Sequence, residues 1–315
     1  MPHADPLSEV LSLLSAKSLL SASLRASGKW SLQFANEDVK FNAVIHGSCW
    51  LVSPTLGAPV RLEAGDCFLI TRCGGYVLCS DRQLPPIPAR EVFPPDAAAW
   101  LNPGGDDEFF AIGGRITLDE ADAGLLLDAL PPILHIDGRA PEAPAIRWLL
   151  TRLCDEWAGA RPGGTLAADH LAQLLFVEAI RAWLRSASGP TAGWLNAISD
   201  RRVGAAMRLL HSDPARRWML QELAAAAGMS RSNFALRFKE LAGRPPLDYL
   251  LRWRMRLGAK ALRASAEPIS TISFALGYQS ESAFSNAFKR VTGMAPRQYR
   301  RTHQRPVALS ELVAR

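Results

Sequence analysis

Side chains able to do covalent or metal chemistry are sparse in this 315-residue sequence and do not cluster. Five cysteines (Cys49, Cys67, Cys73, Cys79, Cys154) form no CxxC pair, and that odd number suits free thiols in a reducing compartment. Cys73 and Cys79 flank Gly74-Gly-Tyr-Val-Leu78 and are the candidates for an oxidation switch, against the plainer reading of small buried hydrophobes. No Lys- or Arg-rich setting surrounds Cys79, as a reactive thiolate would need. A metal enzyme on neighbouring strands needs a cluster of His and Glu ligands, and the strand-like part of the chain offers His46 alone. Neither metal nor cofactor is expected, and the chain does not read as an enzyme.

Regularly spaced surface side chains lie instead within 218–300, where one pattern occurs twice. In the first copy Leu220, Leu223, Ala224 and Ala227 form an apolar helical face, Gly228 supplies a turn, and Ser230 caps a helix carrying Phe234, Phe238 and Leu241. In the second, Ile272, Phe274 and Ala275 precede Gly277, Ser280 caps, and Phe284, Phe288 and Val291 fill the inner face. These are two helix-turn-helix units. With the phenylalanines inward, Arg231, Ser232, Ala235 and Leu236 face outward on one helix, and Glu281, Ser282, Ser285 and Asn286 on the other.

Between the units, 246–264 reads as a long helix with Leu247, Leu250, Leu251, Leu257, Ala261 and Leu262 inward and Arg252, Arg254, Arg256, Lys260 and Arg263 outward. Its nineteen residues span roughly 28 Å at ~1.5 Å each, comparable with one ~34 Å turn of DNA. Charge supports this reading: residues 1–199 hold 15 Lys+Arg against 22 Asp+Glu, whereas 200–305 hold 20 against 7. A basic domain with duplicated helix-turn-helix units has the electrostatic footprint of a phosphate-backbone binder.

The acidic half is different. Residues 1–26 suggest a short amphipathic helix, with Leu7, Val10, Leu11 and Leu14 at helical spacing, packed on the domain that follows. Segments 30–34, 39–46, 49–53, 59–63, 66–71 and 76–80 are strand-length and closely connected, which favours an antiparallel sandwich or barrel. Alternation places Asn42, Val44 and His46 on one strand face with Tyr76 and Leu78 opposite, lining either an effector cavity or a filled core. Proline-rich 83–106 reads as a loop or arm able to close over it, and 109–118 as a further strand. Helices follow at 120–130, 143–159 and 165–186. The last, with Leu166, Leu171, Leu174, Leu175, Ile180 and Trp183, is too apolar to be covered on one side and suggests a subunit partner. No window of ~18 uncharged apolar residues predicts a membrane span, and residues 1–10 carry no visible export signal.

Several pieces of the basic domain carry a family resemblance: Leu223-Ala224 with Gly228-Met-Ser230, Phe238-Lys239 with Gly243-Arg-Pro-Pro246, Tyr249-Leu250 with Arg252-Trp-Arg-Met255, Ile272 with Ala275-Leu-Gly-Tyr278, Ser282-Ala-Phe284 with Phe288-Lys289, and Gly293-Met-Ala-Pro296 through Tyr299-Arg300. Residues 200–303 thereby resemble the DNA-binding domain of the AraC/XylS family of bacterial transcription regulators. Residues 5–185 more loosely resemble the cupin-like sensor domain of part of that family, through 30–34, 41–50 and Arg61-Leu-Glu-Ala-Gly-Asp66. The resemblance implies base contacts at the eight outward positions, with Asn286 suited to a bidentate pair with adenine. Many relatives carry arginine where Leu236 and Asn286 stand, which implies a different base preference, with Ala235 and Leu236 suited to thymine methyls. Arg237, Lys239, Arg252, Lys289 and Arg290 are assigned to phosphates. Related sensor domains often carry histidine where Asn42 and Tyr76 stand, and both departures remove metal ligands.

The expected fold class is α+β: a cupin-like β-barrel followed by dimerisation helices over 1–190, a linker at 191–200, an all-α reader with two helix-turn-helix units joined by a long helix over 201–303, and a tail at 304–315. The expected function is cytoplasmic, sequence-specific transcription regulation, with activation as its mode, in which a small molecule or oxidant sensed by the N-terminal domain controls DNA binding. Double-stranded DNA, RNA polymerase and a second copy of the chain are the expected partners. Two alternatives stand beside it: a cupin-type metal enzyme fused to a DNA-binding module, and a regulator that no longer responds to a ligand.

Overall fold

The computed structural model describes residues 5–13, 17–35, 39–72, 74–93, 99–101, 108–117, 124, 126–159, 161–186 and 193–303. They fall into two compact units, residues 14–190 and, together, residues 1–13 and 191–315.

In the first unit, β-branched and aromatic runs between Gly, Pro and Asp turns form two sheets. The six-stranded sheet orders β11 (Ile133–Ile136), β6 (Cys67–Ile70), β3 (Val39–His46), β10 (Phe109–Thr117), β1 (Lys17–Ala26) and β9 (Ala99–Leu101). The five-stranded sheet orders β5 (Val60–Glu63), β4 (Ser48–Val52), β7 (Tyr76–Cys79), β2 (Ser31–Phe34) and β8 (Ile87–Pro88). Leu24, Val44, Phe68 and Phe109 from one sheet and Leu32, Leu51, Leu62 and Leu78 from the other share one core. Helices α2 (Ala143–Ala158) and α3 (Gly164–Arg185) pack on the six-stranded sheet, where Phe176 meets Phe41 edge-on at 4.9 Å.

Several expectations are corrected here. Residues 17–26 are strand rather than helix: β1 pairs with β10 over almost its whole length, because its alternating small and apolar residues satisfy a ladder as well as they satisfy a helix. The proline-rich segment contributes β8 and β9, both parallel additions at sheet edges where proline is tolerated, and a 3-10 turn at Ala89–Glu91. Strand β11 was not foreseen. Of the helix expected over 120–130, residues 124, 126 and 127 are helical and 128–130 leave the helix, while 120–123 and 125 lie outside the described residues.

The second unit is all helical: α1 (Pro6–Leu13), α4 (Trp194–Ser199), α5 (Val203–Ser212), α6 (Leu220–Ala226), α7 (Arg231–Ala242), α8 (Pro246–Ala264), α9 (Ile269–Ala275), α10 (Glu281–Thr292) and α11 (Pro296–His303). Asp5 accepts from the backbone N–H groups of Leu7 and Ser8 at the start of α1. Leu7 and Val10 are then buried against α4 and α5, and Lys260 Nζ donates to Ser12 O at 2.8 Å. The N-terminal helix therefore packs on the C-terminal unit, not on the domain that follows it. Helix α4 occupies most of the stretch expected to be linker, with Trp194, Leu195 and Ala197 buried.

Around α8 each helix pair closes over its own aromatic core. Phe234 and Phe238 pack near Tyr249, and Phe284 and Phe288 near Tyr278 and Tyr299. Arg254, expected outward, turns in: its guanidinium donates to the carbonyls of Pro214, Ala215 and Arg216 and lies over Tyr278. Leu247, expected inward, is exposed.

Candidate nucleic-acid interface and sensor cavity

Each recognition helix is built from the same local rules. Ser230 Oγ accepts the Asn233 N–H and Ser280 Oγ the Ala283 N–H, fixing the starts of α7 and α10. Gly243 (φ 74°) and Gly293 (φ 81°) end them in the left-handed conformation. Upstream of α7, Glu222 accepts the Met219 N–H at 2.8 Å and pairs with Arg216, whose guanidinium lies 4.1 Å from the Trp218 ring centroid. The Met219 N–H, reinforced by Arg216, holds the Glu222 carboxyl below its ordinary range.

With four phenylalanines fully buried, the opposite faces are open. Arg231, Ser232 and Leu236 are exposed on α7, and Ala235 is half-buried. On α10, Ser282 and Asn286 are exposed, while Glu281 and Ser285 are half-buried. Glu281 Oε1 lies 3.7 Å from Arg297 Nη2, and the hydroxyls of Ser280 and Ser282 are 3.1 Å apart. Lys239, Lys289 and Arg290 flank these faces in solvent and make no ion pair among the described residues.

Two cations assigned to phosphates are already engaged. Arg252 pairs with Asp248 at 3.1 Å, an exposed i, i+4 contact that a phosphate can displace. Arg237 is held more firmly: its Nη2 and Nε reach Asp200 Oδ2 at 2.5 and 3.2 Å. The other Asp200 oxygen caps α5 by accepting from the Arg202 and Val203 N–H groups. Burial acts to raise the Asp200 carboxyl, but the Val203 N–H, Arg237 and the Arg202 N–H outweigh it and hold it below its ordinary value. Arg237 is thus a tie between α7 and the start of α5, a role that sequence spacing does not reveal.

In the first unit a cavity of about 650 Å³ opens among strands of both sheets and residues 88–90 and 93. Asn42, Tyr76 and Leu78 line it as expected. Val44 lies in the filled core instead, and His46 is exposed and away from the cavity. For His46 the cause is a bulge in β3: Ala111 pairs with Val44 and Phe110 with His46, so Ile45 is skipped and the alternation breaks there. Sequence reading also missed Phe34, Lys40, Arg90, Phe93 and Arg115 in the lining. The available signal was Gly113-Gly114 in the middle of β10, since glycine inside a strand often marks close approach.

The second histidine of this unit, His135 on β11, also escaped notice; its Nε2 lies 2.9 Å from Asp66 Oδ2. No group of three or more potential ligands suited to a metal occurs among the described residues. Cys79 is buried, with its Sγ 4.0 Å from Trp50 O, and burial raises its thiol. Burial raises Cys49 still further and takes Cys67 to about 12. Cys73 lies outside the described residues.

Comparison with known proteins matches residues 5–185 to a cupin family and residues 223–302 to a helix-turn-helix domain. Over 298 residues, 94% of this chain and 98% of the relative, the sequence is 42% identical to a putative AraC-like transcription regulator of Streptomyces antibioticus. The chain belongs to the AraC-like transcription regulators. A second such protein, from Streptomyces lividans, is equally similar, 42% over 298 residues, covering 94% of this chain and 98% of the relative. The HTH-type transcriptional regulator AlkR of Acinetobacter baylyi is 28% identical over 286 residues, 88% of this chain and 92% of its own length. This AraC-like regulator therefore couples a sheet-rich cupin domain to a helical DNA-binding domain, and its paired open helix faces belong to that domain. No helix among the described residues is long and apolar enough to cross a membrane.

Proposed function

We propose that the two recognition helices read successive major grooves through Arg231, Ser232, Ala235, Leu236, Glu281, Ser282, Ser285 and Asn286, while Lys239, Arg252, Lys289 and Arg290 contact phosphates. The supporting observation is duplication of one scaffold: a serine cap, two buried phenylalanines four residues apart and a left-handed glycine present equivalent faces of α7 and α10. A small molecule in the sensor cavity controls this binding, without catalysis, in the cytoplasm. Two copies associate through the faces of α2 and α3 that expose Trp148, Leu166 and Leu174. The DNA-bound dimer acts on RNA polymerase, with activation as the mode.

Selection of bound DNA from a random pool, then titration of the selected site against single-base variants, tests the reading. Asn286→Ala is expected to lose ~1–3 kcal/mol of discrimination at one base position. Lys289→Ala is expected to weaken all sequences alike and to reduce the salt-dependence slope by about one. Unchanged base preference in a folded Asn286→Ala protein overturns the assignment.

A further inference from the structure

The phenylalanine frame that makes α7 and α10 alike also shows where they differ. Phe234 and Phe238 correspond to Phe284 and Phe288, so Arg237 stands where α10 has Ala287. Ala287 is buried at 8% exposure, which puts this position on the flank that turns toward the helix's own unit. On α7 the same flank carries a guanidinium, and it reaches Asp200 through both Nε and Nη2. The pair is therefore an addition to the shared scaffold that acts on α7 and has no counterpart at the equivalent position of α10.

The carboxylate side is fixed in place. Asp200 is 13% exposed, and its other oxygen accepts the Arg202 and Val203 N–H groups, so it cannot follow Arg237 outward without uncapping α5. Asp200 also ends α4, which packs on α7 and is tied to it at both ends. At the far end the Gly193 N–H donates to Leu241 O at 2.9 Å, one helical turn along α7 from Arg237. Between the two ties Trp194, Leu195 and Ala197 are buried. A charge-assisted contact to a carboxylate held in this way fixes geometry, as an exposed pair of two free side chains does not.

We propose that Asp200 and Arg237 are positioning residues for base reading by α7: the pair, with the Gly193–Leu241 bond, sets how that helix is rolled toward the groove. A roll about the axis moves Ala235 and Leu236 across the base edges, whereas a lysine such as Lys239 keeps its phosphate by bending its stem. The pair thus governs base preference in the half of the operator that α7 reads and leaves the half read by α10 untouched. The inference rests on α7 and α10 being the base-reading helices.

Competition titration of the selected operator and its single-base variants with the full-length protein tests it. Leu236→Ala and Asn286→Ala first mark the base positions that each helix reads. Asp200→Asn keeps an oxygen able to cap α5, so the domain still folds, while it removes the charge that holds Arg237. Asp200→Asn and Arg237→Met are each expected to cut discrimination at the α7 positions about fivefold or more, the scale of one base contact, with the α10 positions unchanged. Arg237→Lys, which can still pair with the carboxylate, is expected to keep most of it. If Arg237 instead serves a phosphate, Arg237→Met weakens all sequences alike and lowers the salt slope by about one, while Asp200→Asn frees the guanidinium and strengthens binding. That opposite sign overturns the proposal, as does discrimination that is unchanged in both variants or lost equally in both halves. If Leu236→Ala and Asn286→Ala alter no base preference, the base-reading assignment itself falls, and this one with it.

Discussion

Arg237 shows how one side chain can satisfy a sequence pattern and serve another purpose. It lies on the recognition helix among residues that suit phosphate contact, yet it is bonded to Asp200, the carboxylate that also caps α5. Lys239, two positions on, has no such tie and remains the better phosphate candidate on that helix. His211 is the residue through which pH should act on this unit. It is buried, with Nε2 2.8 Å from Tyr249 OH and its ring 4.3 Å from Trp253. Burial lowers its pKa from 6.5 to about 4, against a smaller raising influence of Asp5. The unfolded chain therefore binds a proton that the folded chain refuses between those two values. This contribution is fully present above pH 6.5 and is lost as pH falls toward 4, amounting to about 3 kcal/mol. Urea denaturation followed by tryptophan fluorescence should show that loss, and His211→Gln should flatten it across the same window.

At the scale of elements, the turns of the two helix-turn-helix units look alike in sequence but are differently constrained. Gly228 (φ 60°) has nothing within 4 Å of the position a Cβ would take, so Gly228→Ala should cost only the left-handed strain, ~1 kcal/mol. Gly277 (φ 80°) would place its Cβ 1.9 Å from Ala215 O, in the segment that Arg254 also holds. Gly277→Ala should therefore destabilise the domain by several times as much, as thermal denaturation would register. Similar penalties in both variants would mean that the 214–216 segment yields freely. The bulge in β3 is the same lesson in a strand: one skipped residue removed His46 from the cavity that simple alternation had given it.

For the whole molecule, the exposed apolar residues of α2 and α3 decide the assembly expected in solution. Trp148, Leu166 and Leu174 are 60%, 63% and 49% exposed, while Ala168, Ala172, Leu175 and Phe176 on α3 face inward. Replacing Leu166 and Leu174 together by lysine should leave the melting temperature nearly unchanged, because neither side chain fills the core. The same change should convert a dimer to a monomer in sedimentation and weaken binding to paired operator sites. A monomeric parent protein would refute the subunit contact.

The helix-turn-helix units were legible in the sequence because their determinants are local: serine caps, turn glycines and phenylalanines four residues apart act within a few turns of backbone. Strands β2 to β7 and β10 were legible for the same reason, as was the cavity placement of Asn42, Tyr76 and Leu78, whereas β1, β8, β9 and β11 were not. What only the tertiary structure decided depends on residues far apart in the chain. The helix α1, though it precedes the sheet domain, buries Leu7 and Val10 on α4 and α5. Arg254 and Arg237 read as surface cations until the carbonyls of 214–216 and the carboxylate of Asp200 claim them. Periodicity fixes which face a residue takes on its own element, whereas long-range packing fixes what that face meets.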